Sequence, residues 1–269
     1  MRYYQNNTFE LYLGDCCDIL STISDVDMVF ADPPYFLSNG GLTINSGKIV
    51  SVNKGDWDNQ IGDIDDFNYK WLKAIKNCLK PNGTIWVCGT MHNIFSIVKV
   101  LEELGYKILN TITWQKKNPP PNFSCRFFTH STEFIIWARK SERVAHCFNY
   151  DLMKELNNGK QMKDVWMLSA ISKWEKECGK HPTQKPLSVV SRAVLASTHF
   201  GDIVLDPFCG SSTTGIAANI FGRKYIGIDT QEQYLELSKR RYEDFCKKGN
   251  QYYIKKIEGL IDGIDYSKT

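Results

Sequence analysis

The apolar positions of the chain follow two alternating patterns. Short apolar runs bounded by glycine, proline or charged residues predict strands at 10–13, 27–31, 84–89, 107–114, 132–139, 202–206 and 224–229. Longer amphipathic stretches predict helices near 16–23, 66–79, 92–104, 186–199, 212–221 and 231–248. Strands that alternate with helices are typical of an α/β fold, so we predict a mostly parallel, seven-stranded sheet.

Two segments depart from this alternation. No clear helix separates 107–114 from 132–139, which predicts an antiparallel pair near an edge of the sheet. Residues 140–183 are polar, basic and aromatic without a clean period. Such a stretch between two regular halves is typical of an insertion that carries specificity.

Composition excludes several classes of protein. The chain has 269 residues, 42% of them apolar, yet it has no run of the roughly 18 apolar residues that a membrane span needs, and no signal-peptide pattern. Its nine cysteines are odd in number and include no C-x-x-C pair, which favours reduced thiols. The five histidines show no metal-ligand spacing. We therefore expect a cytoplasmic, metal-free protein without a membrane partner.

Charge is distributed unevenly along the chain. Residues 107–192 contain 15 Lys and Arg against 7 Asp and Glu, whereas 1–106 contain 8 against 13. A basic middle segment is expected of a surface that faces phosphates, although a solvated, mixed-charge face would look the same.

The second predicted strand, 27–31, is followed directly by Asp32-Pro33-Pro34-Tyr35. The two prolines fix φ and donate no backbone hydrogen bond, so the turn presents acceptors: the Asp32 carboxylate and backbone carbonyls. Tyr35 adds a flat ring for stacking. This combination suits an exocyclic amine on a planar heterocycle, although a simple turn also uses this tripeptide.

A second strand end reads DPFCGSSTTG, residues 206–215, and leads into a helix. Its small residues allow a ligand close to the backbone near helix amides, but it is neither a P-loop nor G-x-G-x-x-G. About twenty residues later the next strand ends in Asp229, a spacing that suits a carboxylate on a ribose diol. Asp206 and Asp229 could each be a helix cap instead; together they favour a nucleoside ligand.

At these residues the sequence resembles the S-adenosylmethionine-dependent amino-group DNA methyltransferases. DPPY matches their catalytic motif, DPFCGSSTT matches their cofactor motif, and HPTQKP at 181–186 is a further match. Asp32 is typical of adenine-N6 enzymes, and the motif order is that of the permuted beta group. The likeness spans about 240 residues and is greatest to the second methyltransferases of DpnII-type restriction systems, whose target is GATC.

The resemblance implies a Rossmann-like methyltransferase fold. It also implies that the chain forms a single domain with four consecutive parts. Residues 1–139 would form the catalytic half, 140–183 the inserted target-recognition region, 184–249 the cofactor-binding half and 250–269 a C-terminal tail. It implies that DNA is the partner, in single as well as double strands, and that a homodimer forms, as in beta-group relatives.

The resemblance also implies the site residues. Asp32, Pro33, Pro34 and Tyr35 would be catalytic. The residues expected to bind the cofactor are Asp15, Cys16, Asp32, Lys185, Asp206, Pro207, Phe208, Gly210, Ser211, Ser212, Thr213 and Asp229. Ser212 departs from the family, which has glycine there; if the position needs a positive φ, serine would strain the turn.

DNA contacts are expected from the basic segment and from a glycine-bearing loop. The candidate phosphate contacts are Lys116, Lys117, Arg126, Arg139, Lys140, Lys160 and Lys163. The loop 37–57, with Gly40, Gly41, Gly47 and Gly55, is expected to become ordered on DNA binding. Cytosine-N4 methylation and a non-catalytic DNA-binding module are the alternative functions.

Overall fold

The computed structural model describes residues 1–35, 42–45, 48–51, 62–119, 121–122, 125–261, 264 and 266. Nine strands of the described chain form one sheet in the order β1-β2-β11-β10-β3-β6-β8-β7-β9. They are β1 (Arg2–Gln5), β2 (Phe9–Leu13), β3 (Val26–Ala31), β6 (Leu79–Gly89), β7 (Lys107–Lys116), β8 (Thr132–Arg139), β9 (Val165–Leu168), β10 (Ile203–Asp206) and β11 (Lys224–Asp229). A separate antiparallel pair consists of β4 (Leu42–Asn45) and β5 (Lys48–Ser51).

The predicted α/β class is confirmed, and all seven predicted strands are present. The main sheet has more strands than predicted because β1 and β9 extend it at its two edges. Both are only four residues long, and β9 lies in the segment whose pattern is irregular. Strands β4 and β5 were not predicted either, and they lie within the segment 37–57 that was predicted as a loop. Four glycines of the predicted loop 37–57 (Gly40, Gly41, Gly47 and Gly55) lie outside the described residues.

The centre of the sheet is parallel, and antiparallel pairs flank it on both sides, with β1 antiparallel to β2 at one edge. Strands β2, β11, β10, β3 and β6 run parallel to one another. As predicted, β7 and β8 pair antiparallel, and β8 is also antiparallel to β6. The beginning of β8 therefore lies at the edge where the parallel strands end.

Helices cover both faces of the sheet. They are α1 (Cys16–Leu20), α2 (Ile64–Cys78), α3 (Ile94–Glu103), α4 (Tyr150–Leu156), α5 (Leu187–Ser197), α6 (Thr213–Ile220), α7 (Glu232–Lys248) and α8 (Asn250–Ile254). Residues of α1, α2 and α3 share one buried apolar cluster, and residues of α4 to α8 share the other. The alternation in β3 follows from this: Met28 and Phe30 join one cluster, Val29 and Ala31 the other.

Strand β3 lies next to β10 in the sheet, with Val29 opposite Leu205, although the two strands are far apart in sequence. This pairing places the end of the DPPY strand beside the end of the DPFCG strand. The segment 140–183 contributes α4 and β9, and β9 pairs with β7 inside the main sheet.

In the part of the chain that the structure describes, no helix has the length and apolar character of a membrane span. All nine cysteines lie in that part and are free thiols.

Candidate active site

A cavity of about 620 Å³ opens where four parallel strands end. Its wall contains Asp15 after β2, Asp32 after β3, Asp206 at the end of β10 and Asp229 at the end of β11. Carboxyl ends of parallel strands meet at one edge, and ligands of open α/β sheets bind there. The volume is typical of a site for a nucleoside-sized molecule.

The Asp32 carboxylate is fixed by two side chains. Its Oδ1 accepts a hydrogen bond of 2.7 Å from the Tyr35 hydroxyl, and its Oδ2 accepts one of 2.7 Å from Lys185 Nζ. The Tyr35 ring is only 7% exposed, and neither it nor Pro33 is part of the cavity wall, whereas Pro34 is. Stacking of a base on Tyr35 would require the ring to become more exposed to the cavity.

Lys185 comes from the HPTQKP segment, which approaches the cavity just before α5. Glu175 shapes this segment: its carboxylate accepts from the backbone N–H of Leu187, the first residue of α5, and its carbonyl accepts from the Gln184 amide. Glu175 thereby satisfies an amide that a helix N-terminus leaves free. Lys185 is buried beside Asp32 and Glu133, 3.4 Å from the Glu133 Oε2.

The Asp206 turn is built from small residues in left-handed conformations. Gly210 has φ +49°, and a Cβ there would lie 3.0 Å from the His181 ring. Ser212 has φ 52° and ψ 43°, the positive φ that would strain serine, and it is fully buried behind the cavity wall. Its hydroxyl accepts a 3.2 Å hydrogen bond from Tyr225. A non-glycine residue in this region costs roughly 1–2 kcal/mol.

Asp206 is a buried acid at the wall of the cavity. Burial raises its pKa to about 7, although the Thr214 hydroxyl and the Phe208 N–H donate to its carboxylate. An added positive charge in the cavity would favour the ionised form.

Helix α7 holds the same turn from behind. The Ser238 hydroxyl donates to the Gly210 carbonyl at 2.9 Å. The buried Arg241 guanidinium donates to the carbonyl and hydroxyl of Ser211 and to the Thr213 hydroxyl. The sequence did not indicate Ser238 and Arg241. Both lie in an amphipathic helix, and polar residues of such a helix usually face solvent, whereas these two are buried.

Asp229 and Asp15 combine a capping role with a place on the cavity wall. Asp229 accepts from the N–H groups of Gly210 and Gln231, each at 2.8 Å. Asp15 accepts from the N–H of Cys17 and caps α1. The cap and ligand interpretations are therefore compatible, because each carboxylate oxygen has a second lone pair.

The cavity brings together most residues that the sequence nominated. Those on its wall are Asp15, Cys16, Asp32, Pro34, Lys185, Asp206, Pro207, Phe208, Gly210, Ser211, Thr213 and Asp229. Ser212, Pro33 and Tyr35 lie outside this set. Wall residues that the sequence did not nominate are Gly14, Cys17, Phe30, Phe67, Lys70, His181, Thr183, Gln184, Cys209, Thr214, Thr230, Gln231 and Tyr234. Thr230 and Gln231 follow a strand end directly, a signal that could have found them.

Comparison with known proteins identifies the family. Residues 26–240, which contain both strand ends and the HPTQKP segment, match the family described as DNA methylase. The chain belongs to the DNA methylase family.

Two relatives of this DNA methylase match it over at least 90% of both chains. It is 53% identical over 268 residues to the Type II methyltransferase M2.MboI of Moraxella bovis, covering 97% of this chain and 98% of the relative. It is 55% identical over 246 residues to the Type II methyltransferase M2.DpnII of Streptococcus pneumoniae, covering 90% and 92%. The predicted resemblance to DpnII-type second methyltransferases is confirmed.

Solved structures share the fold of this DNA methylase. The crystal structure of the M1.HpyAVI-SAM complex superposes with a TM-score of 0.65 at 29% identity, over 87% of this chain and 98% of the other. The cytosine-N4-specific PvuII DNA methyltransferase has a TM-score of 0.71 at 18% identity, over 89% and 88%. The predicted Rossmann-like methyltransferase fold is confirmed.

The basic residues nominated for DNA contact lie in two environments in this DNA methylase. Four of them have protein partners: Lys116 pairs with Glu133, Lys117 with Glu258, and Arg139 and Lys140 donate to backbone carbonyls. The other three, Arg126, Lys160 and Lys163, are exposed. Next to Arg126 lie the exposed rings of Phe127 and Phe128, the latter 96% exposed. Arg126, Lys160 and Lys163 are therefore better candidates for phosphate contacts than the four residues whose charges already contact protein groups.

Proposed function

We propose that this chain methylates the N6 amino group of adenine in DNA, using S-adenosylmethionine, as part of a restriction-modification system. The position of Asp32 carries the proposal. Its carboxylate lies on the wall of the same cavity as Asp206 and Asp229, so one site can hold a cofactor and present acceptors to a base. The more general assignment, that the chain is a Type II DNA methyltransferase, is supported by the close relatives.

The residues of the cavity fit S-adenosylmethionine. Asp229 is placed for the ribose diol, Asp15 and Cys16 for the adenine ring, and the turn of Gly210 and Ser211 for close backbone approach. When bound, the cofactor supplies a methyl group on a positively charged sulfur. Asp206 favours such a cation, because a positive charge stabilises its carboxylate.

The chain's own residues would position the target amine. The lone pair of adenine N6 is delocalised into the ring, so the amine is a poor nucleophile. Hydrogen bonds from N6 to the Asp32 carboxylate, and to the carbonyl of Pro33 if the base reaches past the wall residues Asp32 and Pro34, would draw the nitrogen toward tetrahedral geometry and aim it at the methyl group. This is catalysis by orientation and electrostatics, and it needs neither a metal nor a covalent enzyme intermediate.

A cytosine-C5 reaction is disfavoured by the sequence. That chemistry commonly uses a nucleophilic cysteine after proline, and none of the nine cysteines follows a proline. Cytosine-N4 methylation would use the same acceptors, and the choice of adenine depends on the acid at position 32.

The substrate base must leave the helix to reach this cavity. Flipping costs a few kcal/mol in duplex DNA and least in a single strand. Stacking on an aromatic ring, worth about 1–3 kcal/mol per base, would offset part of this cost once Tyr35 turns toward the base. We propose GATC as the target, in single as well as double strands, with 140–183 as the recognition region.

Sequencing of modified bases tests this proposal directly. The chain is expressed in a bacterial host that lacks DNA methylation, and its genome is mapped for N6-methyladenine and N4-methylcytosine. We expect N6-methyladenine at GATC in cells with the wild-type chain and none with the empty vector. N4-methylcytosine would refute the choice of base, another motif would refute GATC, and an unmodified genome would refute methylation.

A further inference from the structure

Lys185 reaches the catalytic turn from the other half of the chain. Its ammonium donates to Asp32 Oδ2 at 2.7 Å and to the Tyr35 hydroxyl at 3.1 Å. It also lies 5.2 Å from the centre of the Tyr35 ring. The lysine side chain is 9% exposed, so the loss of water around its charge must be compensated by these partners.

Glu133 supplies the other half of that compensation. Its carboxylate lies 3.4 Å from Lys185 Nζ and 2.5 Å from Lys116 Nζ. It stands at the start of β8, which, as an antiparallel strand, begins at the edge where β3 ends. Glu133 is not part of the cavity wall, so a cofactor or base in the cavity would meet it only through Lys185.

The four groups form a row of alternating charge, Lys116–Glu133–Lys185–Asp32. Burial alone would lower the pKa of Lys185, but Asp32 and Glu133 raise it, so the lysine stays cationic. Burial alone would raise the pKa of Glu133, but Lys185 and Lys116 lower it, so the acid stays ionised. Each interior charge therefore has opposite charges on both sides.

We propose that Lys185, held by Glu133, is a positioning residue that fixes the Asp32 carboxylate for the target amine. The ammonium anchors Oδ2 and so sets the plane of the carboxylate, while each oxygen keeps a second lone pair for the N–H groups of the base. This inference rests on the proposed function. It assigns Lys185 a role in orienting Asp32 rather than in cofactor affinity.

Five variants test the assignment: Lys185→Met, Lys185→Arg, Glu133→Gln, the double variant of Lys185→Met with Glu133→Gln and, as control, Lys80→Met. Lys80 forms a 2.6 Å ion pair with Asp27, the second residue of β3, at the opposite edge of the sheet. Single-turnover methyl transfer is measured at saturating DNA and cofactor. Dissociation constants for S-adenosylmethionine and for DNA are measured by calorimetry, and folding by circular dichroism.

We expect Lys185→Met to slow methyl transfer by about 100-fold, the loss that a misplacement of about 1 Å produces, with both dissociation constants unchanged. Lys185→Arg should recover part of the rate because it keeps the charge. Glu133→Gln should give a smaller loss, and adding it to Lys185→Met should cost nothing more. Lys80→Met should behave as wild type.

Two outcomes would overturn the assignment. One is a weaker S-adenosylmethionine affinity in Lys185→Met that accounts for its loss of rate. The other is a normal rate in Glu133→Gln. This variant tests the network even if Lys185→Met does not fold, because glutamine has the shape of glutamate and its amide oxygen can still accept a hydrogen bond from Lys116. The wild-type reaction tests the proposed function separately from the role of Lys185. If the wild type methylated cytosine, the choice of adenine would be refuted, but the ratio of each variant's rate to the wild-type rate would still test Lys185.

Discussion

The Ser212 hydroxyl accepts a hydrogen bond from the Tyr225 hydroxyl at 3.2 Å while the Ser212 backbone is left-handed, with φ 52°. The serine thus gains a buried hydrogen bond at the position where its backbone is strained. Such a bond contributes about 0.5–1.5 kcal/mol, close to the cost of the left-handed conformation. The two effects nearly cancel, which explains how serine can stand at a position that favours glycine.

A pair of substitutions separates these effects. Ser212→Gly and Ser212→Ala both remove the Tyr225 partner, but only glycine removes the backbone strain. We expect Ser212→Ala to be less stable than Ser212→Gly by about 1 kcal/mol, measured by urea unfolding. Equal stabilities of the two variants would show that the turn is not strained.

The affinity for the cofactor should depend on pH through Asp206. Burial raises its pKa to about 7, so below pH 7 the free protein holds a proton there. A cationic cofactor favours the carboxylate, so binding releases that proton, and the affinity should fall as pH drops below 7, by at most about tenfold per pH unit. His181 also lines the cavity, but burial lowers its pKa to about 4, so it stays neutral in this range.

Calorimetry of S-adenosylmethionine binding between pH 5.5 and 8 measures this dependence. Asp206→Asn removes the titrating group and should flatten the profile, whereas Glu232→Gln, an exposed acid at the start of α7, should leave it unchanged. A wild-type profile that is flat below pH 7 would contradict the role of Asp206.

Contacts to DNA phosphates should appear in the salt dependence of binding. Lys160 and Lys163 are exposed in the segment between α4 and β9. Each phosphate contact adds about 0.9 to the slope of log affinity against log salt. Lys160→Ala and Lys163→Ala should therefore each lower the slope by about that amount. Lys224→Ala is the matched control, because Lys224 begins β11 at the edge opposite the cavity; an equal effect there would disprove a local contact.

The sequence predicts the strand ends of this site well, for a physical reason. Asp206 and Asp229 each terminate an apolar run, and Asp32 follows one directly, so the change of polarity marks the edge where ligands bind. Glu133 is different, since it is the second residue of an antiparallel strand, and the direction of a strand is decided by its pairing, which the local pattern does not contain. Its partnership with Lys185 needs the tertiary structure.

The elements that the pattern does not predict are short or irregular. Strand β9 has only four residues, with Val165 and Met167 exposed and Trp166 and Leu168 buried, inside a polar segment. Its pairing with β7 supplies the order that its own sequence lacks. Ser212 is a different case. The sequence indicates that serine would be strained if this position had a positive φ, and the structure shows a φ of 52° there.

The central claim is that Asp32 accepts hydrogen bonds from adenine N6 during methyl transfer. The most direct measurement is transfer of tritiated methyl from S-adenosylmethionine to unmethylated GATC DNA by the wild type and by Asp32→Ala, with the product nucleoside identified and cofactor affinity measured in parallel. We predict N6-methyldeoxyadenosine from the wild type, none from Asp32→Ala, and similar cofactor affinity in both. Substantial transfer by Asp32→Ala, or a methylated cytosine from the wild type, would contradict the claim.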